Sequence, residues 1–292
     1  MNPRSLVILF AMAAAGPSPA RAEWRPFFSL RSFSHSQPVS IDAIVDDWHP
    51  PFHGDGGNAA TFNEAVLGAR NDHWYFGALQ RLEYYIDSNR DTADFYYRTT
   101  NKLPLDTGRR YNLDLSVEHF YLWGIRAGYR WRPGDHLTVD MDMNFLKGTR
   151  LTSGSLHGTA QAVGSTDYDF DFDVDYSYSR DALFGRQVSP PDGQGVSTDI
   201  RLSWQPIDGA GVSVDVVDLF GRMYWNDAPY TKAHATSATK SYDANGYVHY
   251  TPAVSGREGE RDYRQDLPTK VFVKGHTAVT TNTRLIAEYD HY

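Results

Sequence analysis

The chain has 292 residues, 41% of them hydrophobic and 14% aromatic, with 19 Tyr, 7 Trp, 24 Gly and no Cys. The lack of Cys removes disulfides, thiolate metal sites and thiol nucleophiles, and with them the small disulfide-stapled class. A formal net charge of -8 leaves no basic surface for phosphates, so nucleic acid is not expected as a partner.

The N-terminus reads as an export signal. Arg4 supplies the positive charge, Leu6 to Ala15 a short apolar run, and Ala20-Arg21-Ala22 a small-x-small cleavage site. The mature chain is expected to start at Glu23, after a signal peptide of residues 1–22. The apolar run is too short to span a bilayer, and no later run reaches the roughly 20 apolar residues of a spanning helix. Residues 23–58 carry Pro26, Pro38, Pro50 and Pro51 and the glycines 54, 56 and 57, and read as an irregular periplasmic arm or plug. His49 and His53 beside Asp46, Asp47 and Asp55 make a weak metal candidate on a Pro/Gly frame, and an ordinary polar arm is the favoured reading.

From Ala59 onward the pattern is short strands and turns, which predicts one all-β domain over 59–292. Thr61 to Arg70 and Trp74 to Ile86 flank a tight turn at Asn71-Asp72. Residues 87–107 are polar and leave loop, short strand and helical turn all open. Tyr111, Leu113, Leu115 and Val117 alternate with polar neighbours, as do Trp123, Ile125, Ala127, Tyr129 and Trp131, and, after a turn at Pro133-Gly134-Asp135, Leu137, Val139, Met141, Met143 and Phe145. A Gly/Ser-rich loop is expected near residue 151, followed by a weaker strand to Val163.

The clearest alternation is Asp167 to Ser179. Tyr168, Phe170, Phe172, Val174, Tyr176 and Tyr178 share one face of a strand, and Asp167, Asp169, Asp171, Asp173 and Asp175 the other. Its Asp-x-Asp-x-Asp does not make a calcium loop, because the positions needing Gly and Glu hold Phe172 and Tyr178. Val196, Thr198, Ile200, Leu202 and Trp204 form the next face, and Val212, Val214 and Val216 return after a turn near 208. A long polar insertion, taken as extracellular, is expected over 226–266, then strands at Lys270 to Lys274 and Thr281 to Tyr289.

Short turns near 134, 165, 208 and 277 alternate with longer loops near 151, 188 and 245, and aromatic residues gather at strand ends. With the export signal and the alternating strands, these features make residues 59–292 resemble the Gram-negative outer-membrane β-barrel proteins. Leu267 to Gly275 with Thr283 to Asp290 is similar to hairpins of fatty-acid-transport-like barrels, without that family's N-terminal hatch pattern. The resemblance implies an antiparallel transmembrane β-barrel of about 10–12 strands in the cell outer membrane. It also implies outer-membrane lipid around the barrel, and periplasmic chaperones and the barrel-assembly machinery as partners during export. Tyr292 is out of phase with Leu285, Ala287 and Tyr289, and the last strand runs outward, so a closing strand is expected to be missing or the strand count to be off by one.

In such a barrel Asp140, Asp142, Asp169, Asp171, Asp173 and Asp215 would line the interior with Arg126, Arg130, Arg201 and Arg284, as would Asp167 and Asp175. Opposed charges of both signs either select solutes by charge or neutralise one another inside a plugged barrel, and the expected function is a channel or transporter for small solutes, with no cofactor and no metal. Three alternatives stand beside it. One is a structural or surface-interaction barrel; another is a lipid-modifying outer-membrane enzyme, with a Ser beside His157 or His249; the third is a soluble periplasmic β-sandwich binding protein. No nucleophile elbow, zinc-protease motif or phosphate loop supports the enzyme.

Overall fold

The computed structural model describes residues 23–40, 48, 52, 54, 56–242, 248–250, 253–280 and 283–291. The export signal and the His49/His53 pair lie outside them. The described chain is all-β with one short helix. Its main sheet has twelve antiparallel strands: β1 (Arg25–Ser36), β2 (Ala59–Arg70), β3 (Trp74–Ser88), β4 (Arg110–Trp131), β5 (Leu137–Ala162), β6 (Tyr168–Tyr178), β7 (Asp192–Ile207), β8 (Ala210–Val217), β9 (Arg222–Thr236), β12 (Val254–Asp266), β13 (Lys270–Thr280) and β14 (Thr283–His291). Strands β10 (Lys240–Tyr242) and β11 (Val248–Tyr250) pair separately.

The sheet forks along β5. The first half of that strand, Leu137 to Gly148, pairs with β7, and the second, Thr152 to Ala162, pairs with β6. Strand β9 spans the fork from the other side, with Arg222 to Asn226 on β7 and Tyr230 to Thr236 on β6. Thus β6 and β7 occupy one rank of the sheet, one above the other. Below the fork the order continues through β8 to β13 and β14; above it, β12 pairs with β9.

Three short connections lie at the lower end, and those at 163–167, 218–221 and 267–269 lie at the opposite ends of their strands. Residues 71–73, 132–136 and 208–209 join β2–β3, β4–β5 and β7–β8, and the β13 residue Ala278 donates its N–H to Gly209 beside them. The helix α1 (Arg90–Thr100) lies at the upper end. Asn89 caps it by accepting from the Thr92 N–H at 2.8 Å, Asp91 sits in its first turn and Arg98 in its last, as the helix dipole favours.

Several expectations are corrected. Within 23–58, Arg25–Ser36 is a full strand on β2 and not irregular, and Val39 and Trp48 are buried with Ala93 and Tyr97 of α1. The strand is hidden in the sequence because adjacent Phe27 and Phe28 break the alternation. No loop occurs near 151. Strand β5 runs through it with a bulge at Thr149, which exchanges the faces of odd and even residues and so blurs the pattern. The turn near 165 therefore lies at the upper end, opposite those near 134 and 208. The polar 226–266 segment is mostly strand, β9 and β12 paired along their lengths.

Candidate functional site

Side-chain parity divides the sheet into an inner and an outer face. On the inner face side chains bridge strands from distant parts of the sheet: Arg31 of β1 binds Asp215 of β8 at 2.6 Å, and Phe33 and Phe62 of β1 and β2 pack on Phe272 of β13. Among the described residues no backbone ladder joins β1 to β14.

Below the fork the inner face is charged and buried. Arg81, with 0% exposure, donates to both oxygens of Asp218 at 2.7 and 2.8 Å and to Glu64 at 2.6 and 3.1 Å. Lys270 donates to Glu83 and Asp218, each at 2.8 Å. Arg126 joins Glu64 at 3.0 Å, Asp199 at 2.7 Å and Asn144 at 2.7 Å. Arg130 grips Asp140 with two bonds of 2.6 and 2.8 Å, and Arg201 and Arg31 share Asp215. Asp218, at φ +58, turns the chain between β8 and β9 and is held there by Asp199, which accepts its N–H at 2.9 Å. Charges this deep are tolerated only when paired on nearly every side.

The six charges Arg126, Arg130, Arg201, Asp140, Asp142 and Asp215, predicted from alternation alone, share this inner face. They border a polar cavity system, of which the larger part holds about 240 Å³ and is lined by Arg70, Tyr75, Arg126, Arg130, Asp140, Asp142 and Arg201 among others. Asp142 Oδ1 is buried there without a hydrogen-bond partner. Sequence reading missed Glu64, Arg81, Glu83, Asp199, Asp218 and Lys270, the most buried members. The available signal was parity: Glu64, Arg81 and Glu83 occupy the polar phase of strands whose other phase is Leu67, Trp74, Phe76 and Leu82.

An apolar cluster shares the inner face with these charges, with Val66, Leu79, Phe120, Leu122, Leu146, Leu151, Met223 and Trp225. Trp225 lies over Gly148 and Gly193; a Cβ on either would fall 2.2 or 2.5 Å from the indole ring, so both must be glycine. Leu122, Leu151, Met223 and Trp225 of this cluster are buried, as are Arg81, Asp218 and Lys270 among the charges.

Above the fork the inner face opens to solvent. Asp169, Asp171 and Asp173 are on it, as predicted, but they do not face the arginines below. Asp173 is 78% exposed and meets His234 at 3.2 Å, Asp175 binds Arg261 at 3.1 Å, and His157 pairs with Asp114 at 2.9 Å. Arg284 lies on β14 opposite Ala278, and its side chain is outside the described residues, as is that of His249.

The outer face carries the opposite pattern. Below the fork it is apolar and exposed: Phe28, Leu30, Leu67, Phe76, Ile125, Met141, Met143, Phe145, Val196, Leu202 and Val212 all face out, Ile125 at 59% exposure and Phe145 at 53%. Trp24, Trp74, Trp131 and Trp204, each about half exposed, ring its lower edge beside the short turns. Above the fork the outer face is covered by protein. Phe172 packs with Leu105, Tyr111 and Leu113, and Val174, Tyr176 and Tyr178 lie under the loop 179–191. Nothing among known proteins accompanies this arrangement: no family model, curated protein or solved structure matches the chain.

Proposed function

We propose that the chain is a β-barrel protein of the outer membrane, embedded through the half that carries the short turns and acting through the half above the fork. One observation carries this reading: below the fork the polarity of the sheet is inverted, with ion pairs inside and a continuous apolar belt outside. Water would favour the reverse arrangement, and an exposed apolar belt of this extent marks a lipid or protein contact. The belt has membrane dimensions. Its exposed runs, Trp74 to Leu82 on β3, Trp123 to Trp131 on β4 and Val196 to Trp204 on β7, are each nine residues, against the roughly 9–11 of a spanning strand. The tryptophan ring matches an interfacial aromatic girdle.

The filled interior favours a surface-interaction barrel over the open channel expected from sequence. The role of the inner charges is then to satisfy one another in a sealed core. A second reading, a solute transporter held shut, draws on the 240 Å³ cavity and the unpartnered Asp142 oxygen at its wall. Membrane fractionation with heat-modifiable migration tests the barrel, and planar-bilayer conductance tests the seal. A heat-shifted membrane band with no conductance is expected. A soluble periplasmic protein would overturn the membrane reading, and steady ion-selective conductance would overturn the sealed one.

A further inference from the structure

Two groups of opposite charge are left incompletely paired in the lower interior, and both line the polar cavity of about 240 Å³. That volume is far more than one water needs and lies below the roughly 300–1,000 Å³ of sites for drug-sized ligands, which leaves a small solute. The cavity reaches the end of the sheet that carries the short turns: Arg70 closes β2, Tyr75 opens β3 and Arg130 stands next to the end of β4.

The anionic group is Asp142. Its Oδ1 is buried without a hydrogen-bond partner, and its Oδ2 has Arg126 Nε at 3.7 Å. Buried polar atoms rarely go unpaired. The cationic group is Arg201. It gives Nε to Asp215 at 2.6 Å, a carboxylate already held by Arg31 at 2.6 Å, and no residue among those described takes its two terminal nitrogens. Its side chain is 45% exposed although it stands on the inner face, so it looks into open space. Asp140 pairs with Arg201 and Asp142 with Asp199 across β5 and β7, which makes Asp142 and Arg201 diagonal neighbours. Such neighbours stand roughly 7–8 Å apart, close enough for one small molecule to touch both. They make no bond to each other.

We propose that this cavity binds a free amino acid, its ammonium group on Asp142 Oδ1 and its carboxylate on the terminal nitrogens of Arg201. A zwitterion supplies both missing partners at once and adds no net charge to an interior of matched ion pairs; a plain anion would leave Asp142 unpaired, and a plain cation would leave Arg201 so. The wall formed by Phe27, Val66 and Tyr75, with the two rings edge to face at 6.1 Å, suits an apolar side chain. The inference names the solute class for the second reading above and rests on that reading for transport alone. Binding needs neither an open pore nor lipid around the belt.

The test titrates the full mature chain, folded in mild detergent, with L-leucine and L-phenylalanine by isothermal calorimetry. Saturable binding at one site per chain is expected for at least one of them. The N-acetyl form of that amino acid, which lacks the ammonium group, and its amide, which lacks the carboxylate, should each bind at least tenfold more weakly to the wild-type chain. Asp142→Asn, which keeps the shape and removes the charge, should weaken the free amino acid by a similar factor. The blocked ligands need no variant, so the result stands even where Asp142→Asn fails to assemble, which heat-modifiable migration reports. Binding of neither amino acid, or equal binding of the free and blocked forms, overturns the site and leaves the barrel reading standing. Uptake of the labelled amino acid into vesicles reads transport separately: binding without uptake supports the site and ends the transporter reading.

Discussion

Strand β4 passes through two environments, and its two halves use the same alternation to opposite ends. In its upper half Tyr111 and Leu113 are buried beneath protein while Asn112 and Asp114 meet solvent. In its lower half Ile125 and Trp123 are exposed while Arg126 is buried among Glu64, Asn144 and Asp199. The alternation of side chains is a property of the backbone alone; what each face meets is set by the surroundings. A protein can therefore keep one sheet and change solvents along it, provided the covering pieces stop at the boundary, as α1 and the 179–191 loop do.

The sharpest way to break this comparison is to remove a charge from the lower interior. Arg81→Ala leaves Asp218 and Glu64 buried beside an unfilled space, and should cost about 3–5 kcal/mol, read as lost heat-modifiable folding or a lowered urea midpoint. Next in size is a charge on the belt: Ile125→Arg or Met143→Arg should cost about 2–4 kcal/mol of stability in lipid if these positions lie near mid-bilayer. Asn89→Ala should cost about 1 kcal/mol and loosen α1 alone, seen as faster amide exchange over residues 90–93. Smallest is Asp171→Ala or Asp173→Ala, on the solvated wall, which should stay within about 0.5 kcal/mol of wild type.

Acid offers a local version of the same contrast. Asp181 accepts from the Tyr176 hydroxyl at 2.6 Å and from the N–H groups of Leu183, Phe184 and Arg186 at 3.0 Å each. Burial alone would push this carboxyl up, but those bonds outweigh it and leave it depressed in the folded chain, so its stabilising contribution is present above its ordinary unfolded value and is lost as pH falls through the depressed one. Amide protection at Leu183, Phe184 and Arg186 should therefore weaken below about pH 4, and Asp181→Asn should weaken it at neutral pH. Unchanged protection in both cases would mean that these bonds do not hold the loop.

Much of this was legible in the sequence where one face is uniform over many residues. Trp123 to Trp131 and Leu137 to Phe145 declared their faces because every outward residue is apolar, and six of the inner charges followed by parity. Asp167 to Ser179 declared its strand equally well, yet not its surroundings: apolar residues left exposed on the outer face and apolar residues covered by protein alternate identically. Other features were masked by local irregularity. The bulge at Thr149 exchanged the parity of β5, and the adjacent Phe27 and Phe28 hid β1. The innermost ion pairs were not legible because Arg81, Asp218 and Lys270 come from β3, the end of β8 and β13, far apart in sequence and brought together across the inner face, which no local pattern encodes.

Because the chain has no Cys, single cysteines introduced one at a time from 111 to 131 along β4 can each carry a spin label without background. The most direct test of the inverted polarity is the accessibility of those labels to oxygen, which concentrates in lipid, and to a water-soluble nickel complex, in the vesicle-reconstituted protein. The account predicts oxygen accessibility that oscillates with a period of two from 123 to 131, highest at 123, 125, 127, 129 and 131, and nickel accessibility at 112, 114 and 116. Nickel accessibility at 123, 125 and 127 would place the apolar belt in water and contradict the account.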